Sequence, residues 1–188
     1  MLRTNQSFLA YVEELYGQQD RKENIIIKQY AKGQRLFLQK DEAVKVMFIK
    51  QGIVKCFFTE HNDKEYILEF LGAGEIIGEI ECIREIPCLC TIEATTDVTV
   101  YAFSLSFFKS LLKSDLKLNG LLMNTFAERI INTSSRAAYQ QLYTLNYSLN
   151  KLLELQSKQG IELSKEDMAS YLGISVRSLN RGLKELLR

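Results

Sequence analysis

The chain has one histidine (His61), one proline (Pro87) and no tryptophan in 188 residues. A single histidine, set in the polar run H-N-D-K at 61–64, lies in a hairpin turn away from any pocket, which disfavours haem ligation. No nucleophile motif accompanies it, and the carboxylates cluster only around residues 75–85, so an enzyme is not expected. No apolar run approaches the roughly 18 residues of a spanning helix, and the N-terminal M-L-R-T-N-Q-S-F-L-A-Y-V-E-E-L has no apolar core of a signal peptide. A cytoplasmic protein without a membrane partner is expected. Neither sign of charge dominates: 24 lysines and arginines face 23 acids, so attraction to a polyanion has to be local. The four cysteines, Cys56, Cys82, Cys88 and Cys90, come without a signal peptide, so reduced thiols are expected rather than a disulfide framework.

What is present changes character twice along the chain. Phe8, Leu9, Val12 and Leu15 recur at helical spacing and predict a short amphipathic helix. Residues 25–103 then run in short apolar stretches rich in Val, Ile, Phe and Tyr: I-I-I-K-Q-Y, R-L-F-L, V-M-F-I-K, I-V-K-C-F-F-T, E-Y-I-L-E-F-L and V-T-V-Y-A-F. Turn signals separate them, namely H-N-D-K, Gly33, Gly52 and the Gly72/Gly74 pair, and the spacing predicts a sandwich or barrel rather than β-α units. At Ser104 the period becomes helical. Residues 106–158 hold no proline and only Gly120, and Leu118, Leu122, Phe126, Thr133, Ala137, Gln140 and Thr144 predict a helix of about 27 residues. Its seam (Leu122, Phe126, Thr133, Ala137, Gln140) is assigned to a homodimer interface, the alternative being a helix packed on its own β-domain.

The last 28 residues have the most definite pattern. Ser164, followed by Glu166 and Asp167, caps a helix whose buried face is Met168, Ala169 and Leu172; Gly173 turns the chain, and Ser175 caps a second helix with Leu179 and Leu183 inward. This is the layout of a helix-turn-helix. The second helix carries Arg177, Arg181, Lys184 and Arg188 against the one acid Glu185. Arg177 and Arg181, four apart on one face, suit bidentate contacts to guanine edges, while Ser175 and Ser178 suit phosphates.

A β-domain, a long helix and a helix-turn-helix, in that order, resemble the Crp/Fnr family of bacterial transcription regulators over nearly the whole chain. V-M-F-I-K-Q-G-I-V-K-C-F-F-T-E-H-N-D-K-E-Y-I-L-E-F-L-G-A-G-E-I-I-G-E-I looks like that family's β-roll. The resemblance implies an α+β fold with three parts: a double-stranded, jelly-roll-like effector domain (1–105), a dimerisation helix (106–145) ending near Leu145 or Asn146, and a helix-turn-helix of winged type (146–188). It also implies a homodimer on a two-fold-symmetric DNA site, with RNA polymerase as a further partner. A competing reading is a ligand-binding module of the same fold whose C-terminal helices mediate protein contacts; it predicts no salt-dependent DNA binding.

In members of the family that bind cyclic AMP, a Gly-Glu pair takes the ribose, an Arg-Ser pair the phosphate, and a Thr-Ser pair on the long helix the purine. The resemblance places Gly78 and Glu79, followed by Ile80, at the first pair and Thr133 and Ser134 at the last, but Cys88 and Leu89 stand where arginine and serine are required. Without that guanidinium a buried phosphate has no counterion, so cyclic AMP is not expected to be the effector. Arg84 is four residues early. Glu79 has a plainer role available, accepting loop amides. Iron–sulfur members use closely spaced N-terminal cysteines, and none precedes Cys56 here. Cys82, Cys88 and Cys90 would make a three-thiolate zinc or redox site, with Cys88 and Cys90 on one face of a strand; burial as small apolar filler is the preferred reading. Val176 falls where cyclic-AMP-type readers have a polar base-contacting residue. The family's β-hairpin wing is missing after Arg188, through truncation or because the protein dispenses with it.

Overall fold

A computed structural model describes residues 2–19, 23–60 and 64–186. The N-terminal half is built from strands β1 (Leu2–Arg3), β2 (Ile25–Tyr30), β3 (Arg35–Phe37), β4 (Lys45–Gln51), β5 (Val54–Thr59), β6 (Glu65–Leu71), β7 (Ile76–Ile77), β8 (Thr91–Ala94) and β9 (Val98–Ser104). They form two facing sheets, ordered β1-β6-β5-β8-β3 and β2-β9-β4-β7. All pairings are antiparallel except β1 with β6. The six apolar stretches of the sequence supply β2, β3, β4, β5, β6 and β9. His61, Asn62 and Asp63 of the expected hairpin turn lie outside the described residues, although β5 and β6 pair as far as Thr59↔Glu65.

Helices α1 (Gln6–Gln18) and α3 (Leu105–Ser114) and the start of α4 (Leu116–Leu142) cover the outer face of the second sheet. That sheet is therefore buried on both sides, which is why β4 reads as the unbroken run V-M-F-I without alternation. Val46 and Phe48 pack with Phe8, Phe103, Phe108, Leu118 and Leu122. Met47 and Ile49 point the other way, into the space between the sheets with Val54, Cys56, Leu71 and Val100. The chain enters α1 through Asn5, whose side chain accepts the Phe8 amide. Gly74 crosses Asn5 so closely, at φ 82°, that a Cβ there would stand 1.8 Å from the Asn5 carbonyl oxygen; no other residue fits.

The long helix α4 begins at Asp115, which caps it by accepting the Leu118 amide and also receives the Tyr11 hydroxyl at 2.8 Å, tying α1 to α4. It is 27 residues long and stops at Leu142, short of Leu145 and Asn146. Tyr143 is extended and closes α4, its amide donating to the Tyr139 carbonyl, and Thr144 accepts the Tyr147 amide to cap a new helix, α5 (Leu145–Gln159), instead of continuing the periodic row. Among the described residues no helix is long and apolar enough to cross a membrane.

The periodic row does not keep to one face: Leu122 and Phe126 turn to the chain's own core, whereas Thr133, Ala137 and Gln140 are exposed. Leu122 is 3% exposed within its own chain's core, which leaves it almost no surface for a second copy, and Phe126 is half-buried against the same cluster. Cys88 and Cys90 precede β8 rather than lying on it. The Cys88 amide donates to the Asp41 carbonyl, and its carbonyl accepts the Lys40 amide.

Candidate functional site

Two surfaces carry the candidate residues, the cassette after β7 and the C-terminal helices. At the cassette, Gly78 turns the chain at φ 82° into the short helix α2 (Glu79–Arg84); a Cβ on it would stand 2.8 Å from the Lys45 carbonyl oxygen and 2.9 Å from the Phe37 ring. Glu79 follows, 1% exposed. Its partner comes from α4: the Arg129 guanidinium donates to Glu79 Oε1, to the Ile76 carbonyl at 2.7 Å and to Glu75 Oε2 at 3.4 Å. Arg3 of β1 completes the cluster, 3.6 Å from Glu69 and 3.5 Å from Glu75. Burial pushes the Glu75 and Glu79 carboxyls above the ordinary carboxylate range, with the two arginines opposing the rise at Glu75 and Arg129 opposing it at Glu79. At Arg129 burial favours the neutral form, but the surrounding carboxylates outweigh it and the guanidinium stays charged.

Arg129 thus compensates the carboxylate at the head of this segment, whereas positions 88 and 89 hold a cysteine and a leucine. Cys88 is buried in the core between the sheets, and Leu89 is exposed, its amide donating to Glu81 Oε1 at 3.0 Å. The loop amide nearest the missing arginine is therefore already taken by a carboxylate. Arg84 lies exposed in the last turn of α2, not in a loop that could fold back. Ile80 is half-buried beside Glu79.

Thr133 lines a cavity of about 350 Å³ between β6, α4 and α5, with Leu68, Gln140 and Tyr147 among its walls. Arg3 and Glu69 of the charged cluster border the same cavity, whereas Gly78 and Glu79 are not among its walls. Ser134 is exposed on α4 and is not among them either. Gln140, expected at a dimer seam, accepts the Tyr66 hydroxyl at 3.0 Å. Arg129 and Arg136 were missed because they are charged, yet they continue the inward row of Leu118, Leu122 and Thr125 at steps of three, four and seven.

Arg136 joins the two halves of the chain. Its guanidinium donates to the carbonyls of Leu68, of Ile67 at 2.7 Å and of Tyr171 at 2.8 Å, and lies between the Tyr66 and Tyr171 rings at 4.8 and 4.0 Å from their centroids. Tyr171 belongs to α6 (Lys165–Leu172). A second tie runs from β5: Lys55 Nζ lies 2.9 Å from Asp167 Oδ1 and 3.3 Å from Glu93. Helix α6 is thereby held on the sheet formed by β5 and β6.

Helix α6 and α7 (Val176–Leu186) form the expected turn. Ser164 accepts the Asp167 amide, Gly173 takes a left-handed φ of 70°, and Ser175 accepts the Ser178 amide at 3.1 Å. Met168, Ala169 and Leu179 bury against Leu149 and Leu152 of α5. Gly182 lets α7 approach α5, since a Cβ there would meet Leu149 at 3.1 Å. Arg177, Arg181 and Lys184 are exposed, on the helix that does not carry the contacts to the roll. Val176 is not on that open face: it packs against the apolar cluster of the three helices. Ser175 and Ser178 share a hydroxyl contact at 3.0 Å. Leu187 and Arg188 lie outside the described residues.

Comparison with known proteins agrees with these features. Residues 27–115 match the model of the cyclic nucleotide-binding domain. An HTH-type transcriptional regulator, Cmr of Mycobacterium tuberculosis, is 23% identical over 167 residues, covering 88% of this chain and 68% of that protein. Among solved structures, the c-di-GMP-responsive global regulator CLP of Xanthomonas campestris superposes with a TM-score of 0.80 at 18% identity, over 95% of this chain and 91% of that one. A putative transcriptional regulator of the crp/fnr family from Eubacterium rectale does so at 0.76 and 17% identity, over 97% and 83%. The likeness to these regulators runs through roll, long helix and C-terminal helices alike, and the chain shares their fold.

Proposed function

We propose that the protein is a homodimeric, sequence-specific DNA-binding regulator of transcription whose roll does not take cyclic AMP. The observation that carries the reading is the open basic face of α7: Arg177, Arg181 and Lys184 stay exposed while α6 takes up the contact with the roll. Arg177 and Arg181 read base edges; Lys184 adds phosphate attraction, and Ser175 serves mainly as the helix cap. Val176 supports the helix from inside.

Dimerisation uses α4, but through a different stripe from the inward row. Leu116, Gly120, Met123, Ala127, Ile130, Ser134, Ala137 and Gln141 alternate steps of four and three, and every one is exposed. That is the heptad spacing of a two-helix seam, with Leu116, Met123 and Ile130 at 86, 68 and 67% exposure and small residues between them. A second copy of the same helix fits it, and two-fold symmetry then presents two α7 helices to a palindromic site.

Against cyclic AMP stand the Arg129–Glu79 pair, which occupies the carboxylate a ribose would need, and the cysteine and leucine at positions 88 and 89 where a phosphate needs a guanidinium. The test is selection of bound duplexes from a random pool followed by a mobility-shift assay. The selected site should be a palindrome, and Arg177→Ala with Arg181→Ala should abolish its retention while the dimer survives. Unchanged retention would refute the assignment of α7 as reader.

A further inference from the structure

Two free sulfurs meet inside the roll. Cys56 of β5 and Cys90, just ahead of β8, have their Sγ atoms 2.7 Å apart. Strand register explains the approach. β5 and β8 are antiparallel with Cys56 opposite Ile92, so Cys90, two residues before Ile92, stands one diagonal step away on the same face. About 0.7 Å of further approach would bring the sulfurs to a disulfide bond of ~2.05 Å.

The two thiols are not equivalent. Cys56 is 6% exposed, and its contact with Cys90 together with burial pushes its pKa well above the ordinary thiol range, which favours its protonated form. Cys90 is only partly buried and is the more open residue of the two, so the first contact with a small molecule is assigned to it. Around them are apolar side chains of the inter-sheet core, and Glu69 lies across β5–β6 from Cys56. A small uncharged oxidant suits these surroundings; an anionic one does not.

We propose that Cys56 and Cys90 form a dithiol site that reacts with a small hydroperoxide and closes to a disulfide. The Cys90 sulfur, having given up its proton, attacks one peroxide oxygen; the O–O bond breaks, the other oxygen leaves with a proton as water or an alcohol, and Cys90 becomes a sulfenic acid. The Cys56 sulfur then attacks the Cys90 sulfur, the S–O bond breaks, and the hydroxyl leaves as water with the Cys56 proton. Two electrons pass from the sulfurs to the peroxide, and an external thiol reductant reverses the closure.

The location connects this chemistry to the rest of the molecule. Lys55, the residue before Cys56, holds Asp167 of α6, and Glu69, opposite Cys56, lies 3.8 Å from Arg129 of α4. Drawing β5 toward β8 at residue 56 therefore acts on both the attachment of the helix-turn-helix and the anchoring of the long helix. This consequence rests on the regulator reading above; the thiol chemistry does not.

The test treats the full reduced chain with an equivalent of hydrogen peroxide, then counts thiols and maps cross-linked peptides. Free thiols should fall from the four of the sequence to two, with Cys56 and Cys90 in one intramolecular linkage and Cys82 and Cys88 still free. Cys56→Ala should stop at a sulfenic acid on Cys90, trapped by dimedone. Linkage of Cys90 to Cys88, an intermolecular bond, or four thiols left intact would overturn the proposal, and the mapping on the unaltered chain needs no variant to fold. Hydrogen exchange of α6 before and after closure reads the coupling: faster exchange supports it, and unchanged exchange removes the coupling while leaving the thiol result as it stands.

Discussion

Arg129, one helical turn before Thr133, donates to Glu79 and so places a residue of the long helix on the carboxylate at the head of the cassette. The pair ties α4 to the roll from inside, with Glu75, Glu69 and Arg3 as further members of the cluster. Both carboxylates are 1% exposed, so the arginine supplies charge compensation that solvent cannot.

Replacing Arg129 with Met should destabilise the roll by about 3–5 kcal/mol, the usual cost of leaving a buried charge without its partner. The loss should depend on pH. A carboxyl whose folded pKa lies above its unfolded value holds its proton longer when folded, so the folded state binds more protons in the window between the two values and stability falls as pH rises through it. Glu79 and Glu75 both have this sign, with the window opening at the ordinary value of 4.5. Without Arg129, whose charge lowers both, the window widens upward. Urea midpoints should therefore show Arg129→Met closest to the unaltered protein at acid pH and falling furthest behind near neutrality, and adding Glu79→Gln should recover part of the deficit. A deficit of the same size at every pH would show that the arginine acts through packing alone.

Cyclic AMP should produce no shift in melting temperature. A ligand that binds only the folded state raises stability with its concentration over its dissociation constant, so a flat melting curve at millimolar nucleotide reads directly as lack of binding. Cys88→Arg should not create the site either, because position 88 is buried in the inter-sheet core and a guanidinium there would destabilise the roll before it met a phosphate.

The roll and the helix-turn-helix were legible because their signals are local. Apolar stretches between turn residues marked six of the nine strands, and Ser164, Gly173 and Ser175 marked the caps and turn of the last two helices. Of the other three, β8 (Thr91–Ala94) is a short segment without such a stretch, and β1 and β7 were not legible: two residues each carry no period, and only pairing with β6 and β4 makes them strands. The site was read less well for a different reason. Helix α4 carries two stripes, one toward the roll and one toward solvent, and spacing alone does not say which is which. The seam read from the spacing (Leu122, Phe126, Thr133, Ala137 and Gln140) mixes the two: Leu122 and Phe126 turn to the core while Ala137 lies on the exposed stripe, and the arginines that continue the inward row look, in sequence, like surface residues.

Arg136→Ala should loosen the docking of α6 without unfolding the roll. Three backbone carbonyls lose a charged donor, and the Tyr66 and Tyr171 rings lose the cation between them. A charged hydrogen bond of this kind contributes about 1.5–3 kcal/mol. Amide exchange should rise in α6, whose contact with β6 depends on this residue, and stay unchanged in β4 and β9. Lys55→Met, which removes the tie to Asp167, should act in the same direction with a smaller effect, because the pair retains partial contact with solvent. Equal protection of α6 in all three proteins would mean that the Phe70–Tyr171 ring contact suffices for docking.

The two stripes of α4 predict opposite outcomes for adjacent positions. Leu122 is buried in its own chain, so Leu122→Ala should cost about 2–5 kcal/mol of folding stability through the cavity it leaves. Met123, next in sequence, is 68% exposed and adds little to the fold of one chain. Met123→Glu with Ile130→Glu should leave the melting curve of the isolated chain nearly unchanged and turn the dimer into a monomer, because like charges would face each other across a two-fold seam. Sedimentation equilibrium separates the cases. A dimer that survives both glutamates would place the interface elsewhere, whereas a Leu122→Ala chain that folds less stably but still associates would confirm that the inward row supports the roll and the outward row meets the second copy.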